Sequence, residues 1–138
     1  EQFESHRGKI KYGDATFRFY PSHNIDGFRK LVQFLKYEQY NKYDLVMFGP
    51  SERPMADLKV ICKILLQHFQ GTDICLVLFN HFKSLGWEQL LDLKSEFGFN
   101  IVDDIKKFKK NNEAKSILVV GSNYFFSTFF KQSNRVIC

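Results

Sequence analysis

Two short apolar runs with a helix-like segment between them constrain the fold of this chain more than any other feature. Residues Tyr43–Phe48 and Ile74–Phe79 do not alternate apolar with polar positions, as a half-exposed strand would. Both runs therefore predict strands that are covered on both faces. About 25 residues separate them, which suits the crossover connection that a parallel pair requires. The stretch is predicted to be a β-strand, α-helix, β-strand unit.

Three stretches carry the i, i+3, i+4, i+7 spacing of apolar residues that indicates a helix with one buried face. Asn24 or Ser22 is expected to cap the first, Ser51 the second and Ser84 the third, which Gly98 is expected to end. The residues predicted to face the core are Phe28, Leu31, Val32 and Leu35 in the first helix, Met55, Leu58, Ile61, Cys62, Leu65 and Phe69 in the second, and Trp87, Leu90, Leu91 and Phe97 in the third.

The two ends of the chain are predicted to complete the sheet. Lys9–Tyr12 and Ala15–Tyr20 alternate in part around Gly13 and Asp14, which predicts an antiparallel hairpin, with one longer strand as the alternative. If residues 99–102 and 116–120 are both strands, they are expected to form a second, long antiparallel hairpin, while residues 103–108 fit either a helix or a strand. Tyr124–Phe130 is aromatic and is expected to extend the last strand or to cover an edge of the sheet.

Together these elements predict a single α/β domain over residues 1–138. The expected architecture is a three-layer, Rossmann-like sheet with a mostly parallel centre, an antiparallel edge or hairpin, and helices on both faces. A chain of 138 residues can bury a core without disulfide or metal support, and its sixteen phenylalanines predict a Phe-rich core. The apolar runs are too short to cross a bilayer, so we expect no membrane span.

Cysteine and histidine usage offers no metal site. Cys62, Cys75 and Cys138 lack metal-ligand spacing and are interpreted as buried thiols, which favours an intracellular, reducing compartment such as the cytoplasm or the nucleus. The four histidines are scattered, so no metal ligands are predicted.

The charge of the chain is mildly basic. Twenty basic against fifteen acidic residues give +5, which permits attraction to nucleic acid or to an acidic surface without requiring it. The densest basic patch consists of Lys106, Lys107, Lys109 and Lys110. It is a candidate phosphate contact, and a solvated hairpin tip is the alternative.

Polar residues follow the two central strands where those strands end, and ligands of open α/β sheets bind outside the carboxyl ends of the strands. The candidate ligand-binding residues are Gly49, Ser51 and Arg53 after the first strand and Asn80, His81 and Lys83 after the second. Arg53 and Lys83 would bind an anionic group. The segment at 121–123 joins this crevice only if the strand before it is parallel to the others. Polar loops without a ligand are the alternative.

A serine beside His81 is the one catalytic arrangement that the sequence offers. Ser51 or Ser122 would act as the nucleophile and His81 as its base. No G-x-S-x-G motif supports either pair, and we predict no catalytic residues.

From Tyr43 onward, the order of elements resembles the carboxyl half of a class I (Rossmann-like) methyltransferase. The matching pieces are the strand at 43–48, the helix at 55–69, the strand at 74–79, the helix at 87–96, the Phe-Gly-Phe-Asn-Ile-Val sequence at 97–102 and the strand at 117–120. The resemblance implies an antiparallel final strand and S-adenosylmethionine as the cofactor. The glycine-rich cofactor loop of that family has no counterpart here, and only Gly13-Asp14 is similar to one of its acidic loops.

The sequence therefore predicts a methyltransferase-like α/β domain without a recognisable cofactor loop. We expect it to act as a non-catalytic binding or assembly module, with no cofactor and with another protein as its partner. One alternative is an S-adenosylmethionine-dependent methyltransferase or another small α/β enzyme that uses the crevice at the strand ends. The other is a basic module that binds nucleic acid.

Overall fold

The computed structural model describes residues 9–38, 42–105, 107–108 and 113–132. Within these ranges, six strands form one sheet and four helices pack on it. The strands are β1 (Lys9–Tyr12), β2 (Ala15–Pro21), β3 (Leu45–Gly49), β4 (Asp73–Val77), β5 (Asn100–Val102) and β6 (Ser116–Gly121). The helices are α1 (Ile25–Tyr37), α2 (Met55–His68), α3 (Trp87–Phe97) and α4 (Asn123–Gln132).

The strands lie in the order β1-β2-β6-β3-β4-β5. Only the pair of β1 and β2 is antiparallel among the neighbouring described strands, and the other four pairs are parallel. The predicted α/β fold with a mostly parallel centre and an antiparallel edge is confirmed. The hairpin around Gly13 and Asp14 is also confirmed.

The long antiparallel hairpin predicted over residues 99–120 is wrong. β6 lies between β2 and β3 and runs parallel to both, with Ile117 opposite Phe17 on one side and opposite Leu45 on the other. Residues 117–120 are all buried, which a central strand covered on both faces explains. Since β5 and β6 are not neighbours in the sheet, the chain between them is a crossover, as a parallel return needs. The antiparallel final strand implied by the methyltransferase resemblance is therefore parallel here.

Each face of the sheet carries its own apolar core, as the predicted three-layer arrangement requires. On one face, α1, α2 and α3 pack on the side chains of Val46, Phe48, Ile74, Leu76, Leu118 and Val120. On the other face, α4 and Ile105 pack on Phe17, Phe19, Leu45, Met47, Cys75, Val77, Ile117 and Val119. Successive residues of each central strand point to opposite faces, so both cores are built from the same strands.

The aromatic segment at 124–130 is part of the helix α4, and the prediction that it extends a strand is wrong. Phe125, Phe126 and Phe129 are buried, while Ser127 is exposed, which is the spacing of one helical face. The ring of Phe19 contacts those of Phe126 and Phe129 edge-on, with centroids 5.4 and 5.3 Å away. This geometry is the favourable one for aromatic pairs and fixes α4 on the sheet.

The predicted helix ends are correct in part. Asn24 caps α1, since its Oδ1 accepts a hydrogen bond from the Gly27 amide at 2.7 Å, and Gly98 ends α3. Pro54, rather than Ser51, precedes α2, and Gly86, rather than Ser84, precedes α3. The side chains of both serines are engaged in loop contacts instead.

The predicted buried face of α3 is wrong at two positions. Trp87 and Leu91 are 46% and 40% exposed, whereas Leu90 and Leu93 are fully buried. The buried stripes predicted for α1 and α2 are confirmed at Phe28, Leu31, Leu35, Leu58, Ile61, Cys62 and Leu65. No helix in the described ranges combines the length and the apolar character that crossing a membrane requires.

Candidate functional site

The loops that follow β3 and β4 meet at the carboxyl edge of the sheet, because the two strands are parallel. The Glu52 amide donates to the Lys83 carbonyl at 2.8 Å, and the Leu85 amide donates to the Pro50 carbonyl at 3.0 Å. An isolated β-bridge joins Ser51 and Ser84 between these two bonds. The structure thus brings together the two segments that hold the predicted ligand-binding residues.

The loop after β6 joins the same edge. The hydroxyls of Ser51 and Ser122 are 2.7 Å apart and share a hydrogen bond. Ser122 Oγ also accepts from the Phe125 amide at 3.4 Å and so caps the first turn of α4. Because β6 is parallel to β3, the segment at 121–123 lies at the predicted crevice.

At the boundary between β6 and β3, the helices that follow the two strands lie on opposite faces of the sheet. β6 leads to α4 on one face, and β3 leads to α2 on the other. Numbered along the chain, the five parallel strands lie in the order 1-5-2-3-4. Moving β6 to the first place, as a circular permutation would, converts this into the order 2-1-3-4-5 of flavodoxin-like sheets. Ligands of such sheets bind at this boundary, which we call the switch point.

The ring of Phe125 fills the switch point. A Cβ atom on Gly49, the last residue of β3, would lie 2.4 Å from this ring, and one on Gly121, the last residue of β6, would lie 2.7 Å from it. Gly121 also has φ +151° and lies close to the carbonyl of Gly49. The two strand ends are therefore shaped around an internal side chain. Two adjacent strands that both end in glycine were a signal for this contact, which the sequence analysis missed.

An exposed group of aromatic and cationic side chains lies next to the switch point. We call His81, Phe82, Lys83 and Tyr124 the edge platform. The rings of His81 and Phe82 stack with centroids 4.7 Å apart, and the Tyr124 ring lies 4.9 Å from that of His81. Lys83 Nζ is 5.5 Å from the Phe82 centroid and 5.9 Å from the Tyr124 centroid, within cation–π range.

Phe82 and Tyr124 are the two members of the edge platform that the sequence analysis missed. Phe82 is 82% exposed and Tyr124 is 46% exposed. In the sequence, Phe82 falls in a predicted loop and Tyr124 follows the end of a predicted strand. Large aromatic residues at such positions contribute little to a core, and this was the signal that they could serve in binding.

The imidazole of His81 is not arranged as a base for either serine. Its Nδ1 accepts a hydrogen bond from the Lys83 amide at 3.0 Å, so Nε2 carries the proton of the neutral ring. A general base needs a free nitrogen lone pair directed at its nucleophile. Ser51 and Ser122 instead bond to each other.

The remaining candidate residues differ in their surroundings. Asn80 lines a cleft of about 580 Å³ beside the edge platform, together with residues 78–82, 84–86 and Asp103. Arg53 Nε is buried and has no hydrogen-bond partner among the described residues. Lys107 is exposed, and the rest of the predicted basic patch, Lys106, Lys109 and Lys110, lies outside the described residues.

Acidic side chains gather at the opposite, amino edge of the sheet. A second cleft of about 690 Å³ there is lined by Asp44, Asp73 and Glu113, among others. The Asp44 carboxylate accepts from the amides of Lys115 and Ser116 at 2.9 and 3.0 Å, so it positions the start of β6. In the described part of the chain, no group of three or more His, Cys, Asp or Glu residues is placed to hold a metal ion.

No family model matches the sequence, and no curated protein matches it. The resemblance to class I methyltransferases stays a prediction.

Proposed function

We propose that this chain is a non-catalytic binding module that meets its partner at the carboxyl edge of the sheet. The observation that carries the proposal is the position of Phe125. Cofactors of open α/β sheets approach the glycine backbone at the switch point, and here a phenylalanine ring lies against Gly49 and Gly121.

A cofactor would have to displace this ring. Losing a buried phenylalanine side chain from a core costs about 3–5 kcal/mol. A ligand with micromolar affinity gains about 8 kcal/mol in total, so roughly half of its binding energy would be lost. The site is accordingly poor for S-adenosylmethionine or a flavin.

The polar groups at the edge support the same conclusion. The mutual hydrogen bond of Ser51 and Ser122 and the bonded Nδ1 of His81 leave no nucleophile paired with a base at this site. In contrast, the exposed rings of Phe82 and Tyr124 supply the kind of aromatic surface that carries much of the energy of recognition.

Calorimetry with S-adenosylmethionine tests the non-catalytic assignment against the methyltransferase alternative. The wild-type chain is expected to give no saturable heat at micromolar cofactor. Phe125→Ala opens the space between Gly49 and Gly121, and Phe126→Ala, which removes a neighbouring ring from the same core, is its matched control. Saturable binding to the wild type would overturn the proposal, and binding to Phe125→Ala alone would show that the ring is the barrier.

A further inference from the structure

The cleft beside the edge platform has the volume of a small-ligand site. Its volume of about 580 Å³ falls within the range of small-molecule sites in proteins. It opens after β4, one strand away from the filled switch point, and Gly86, which precedes α3, forms part of its wall. A ligand can therefore reach the carboxyl edge here without displacing Phe125.

Phe82 supplies a stacking surface for such a ligand. One face of its ring is stacked on His81 at an interplanar angle of 20°, which holds the ring in place. The side chain is nevertheless 82% exposed, so a large part of the ring surface is open to solvent. Nucleobases stack on exposed aromatic rings of this kind.

Polar groups of three kinds lie in or beside the cleft. Asn80 and Asp103 line the cleft, where an amide can both donate and accept hydrogen bonds and a carboxylate accepts them. Lys83 Nζ lies 5.5 Å from the centre of the Phe82 ring and carries the positive charge that a phosphate requires. The aromatic ring, the hydrogen-bonding groups and the cation are therefore complementary to the base, the base edge and the phosphate of a nucleotide.

We propose that this cleft binds a nucleotide, with the base stacked on Phe82, the base edge at Asn80 and Asp103, and the phosphate at Lys83. The inference rests on the proposed function, because it names the ligand of the same carboxyl edge. The nucleotide is either a free mononucleotide or one unit of a single strand, and the net charge of +5 attracts both.

The carboxylate of Asp103 determines which bases fit. It accepts hydrogen bonds and cannot donate them. Adenine, cytosine and guanine each present an exocyclic amino group with two N–H donors to such an acceptor, whereas uracil offers only its single ring N3–H. The cleft therefore binds the three amino-bearing bases more tightly than uracil.

Titrations with AMP, GMP, CMP, UMP and an eight-nucleotide single strand of RNA or DNA test the proposal. Calorimetry measures the binding of the mononucleotides, and fluorescence anisotropy measures the binding of the strands. Phe82→Ala is expected to weaken binding by about tenfold or more. Lys83→Gln is expected to weaken it by about threefold to tenfold and to reduce its salt dependence. Asp103→Asn is expected to narrow the difference between UMP and the other nucleotides.

Matched variants away from the cleft separate the site from general effects. Tyr37→Ala removes an aromatic side chain that is 88% exposed on α1, and Lys63→Gln removes an exposed charge from α2. Both are expected to bind like the wild type. All five substitutions should leave the melting temperature within a few degrees, so a loss of binding reports on contact rather than on folding.

Each outcome either identifies the ligand as a free nucleotide or a single strand, or overturns the proposal. Binding of mononucleotides identifies a free nucleotide as the ligand, and binding of the strands alone identifies a single-stranded nucleic acid. Strand binding that survives Phe82→Ala but disappears with added salt is charge attraction, and it overturns the proposal. If none of these probes binds to the folded wild type, the nucleotide proposal is also overturned, and a protein is then the remaining partner for this surface. The proposed non-catalytic function fails only if S-adenosylmethionine binds.

Discussion

The ring of Phe125 lies so close to the backbone of Gly49 that a Cβ atom at Gly49 would sit 2.4 Å from the ring. Gly49 is not among the described glycines with a positive φ, so space, rather than backbone conformation, excludes a side chain there. The contact joins the end of β3 to the start of α4, which lie far apart in the chain. It also closes the place where a sheet of this topology would receive a ligand.

Gly49→Ala is expected to destabilise the fold by about 1–3 kcal/mol, because the added methyl group overpacks the contact with Phe125. Urea denaturation measures the free energy of unfolding. Gly86→Ala is the control, since a Cβ there would lie 3.6 Å from its nearest neighbour, and it should cost less than about 1 kcal/mol. Combining Gly49→Ala with Phe125→Leu should cost less than the sum of the two single changes. Additive costs would contradict a direct contact.

Leu76→Asp is expected to unfold the domain, because it places an unpaired charge at a fully buried position of β4. Such a charge costs several kcal/mol, a large share of the stability of a domain of this size. Leu91→Asp is the matched control at a position of α3 that is 40% exposed, and it should change stability by no more than about 1 kcal/mol. Circular dichroism during heating distinguishes the two variants, and a cooperative transition at the wild-type temperature for Leu76→Asp would rule out the central position of β4.

Burial could be predicted from the sequence more securely than strand direction. The apolar residues at 117–120 correctly indicated a strand covered on both faces. Nothing in that pattern tells a parallel strand from an antiparallel one, since both are buried when they are central. The direction depends on the path of residues 103–115, and that segment is polar without a strong local preference. The meeting of the loops after β3 and β4, in contrast, followed from the parallel pairing alone.

The contact that shapes the site could not be predicted because it depends on distant parts of the chain. The sequence analysis assigned Phe125 to an aromatic stretch, and its helical spacing is visible only when the exposed Asn123 and Ser127 are taken as the opposite face. Its position over Gly49 requires that β6 lies directly beside β3. The apolar pattern indicated adjacent central strands but not which of them is the neighbour of β3. Phe82 was passed over because the argument for an anion site considered charged and polar residues only.

Asn24→Ala is expected to destabilise the fold by about 1 kcal/mol, because it removes the side-chain acceptor for the Gly27 amide at the start of α1. Asn24→Ser keeps an oxygen acceptor at this position and should lower the free energy of unfolding by only roughly a few tenths of a kcal/mol. Urea denaturation of the two variants and the wild type gives the comparison. Equal stability of all three proteins would show that the 2.7 Å bond contributes nothing to the fold.

The thiols of Cys62 and Cys75 are expected to resist alkylation in the folded protein. Burial raises the pKa of each thiol to about 12, with a smaller contribution from the carboxylate of Glu96 near Cys62 and that of Asp73 near Cys75. Because the thiolate is the reactive form, iodoacetamide at pH 8 should label both residues slowly without urea and rapidly in unfolding concentrations of urea. Peptide mass spectrometry quantifies each site, and rapid labelling without urea would contradict their burial.

His68 is expected to make the fold less stable in mild acid. Burial lowers the pKa of its imidazole below the ordinary value of 6.5, and the positive charge of Lys36 lowers it further. The unfolded chain therefore binds a proton at His68 at a higher pH than the folded chain does. Stability falls as the pH drops below about 6.5 and stops falling below the pKa of the folded state.

Urea denaturation at pH 7.5, 6.5 and 5.5 measures this dependence, with His68→Gln as the comparison. The wild type should lose more stability between pH 7.5 and 5.5 than His68→Gln, because the variant has no imidazole at this position to protonate on unfolding. The loss of stability in Lys36→Gln should lie between those of the wild type and His68→Gln, because this variant removes the smaller of the two causes that lower the pKa of His68. All other titrating groups are common to the wild type and His68→Gln. Equal losses of stability in these two proteins would therefore mean that His68 binds its proton as readily in the folded state as in the unfolded state.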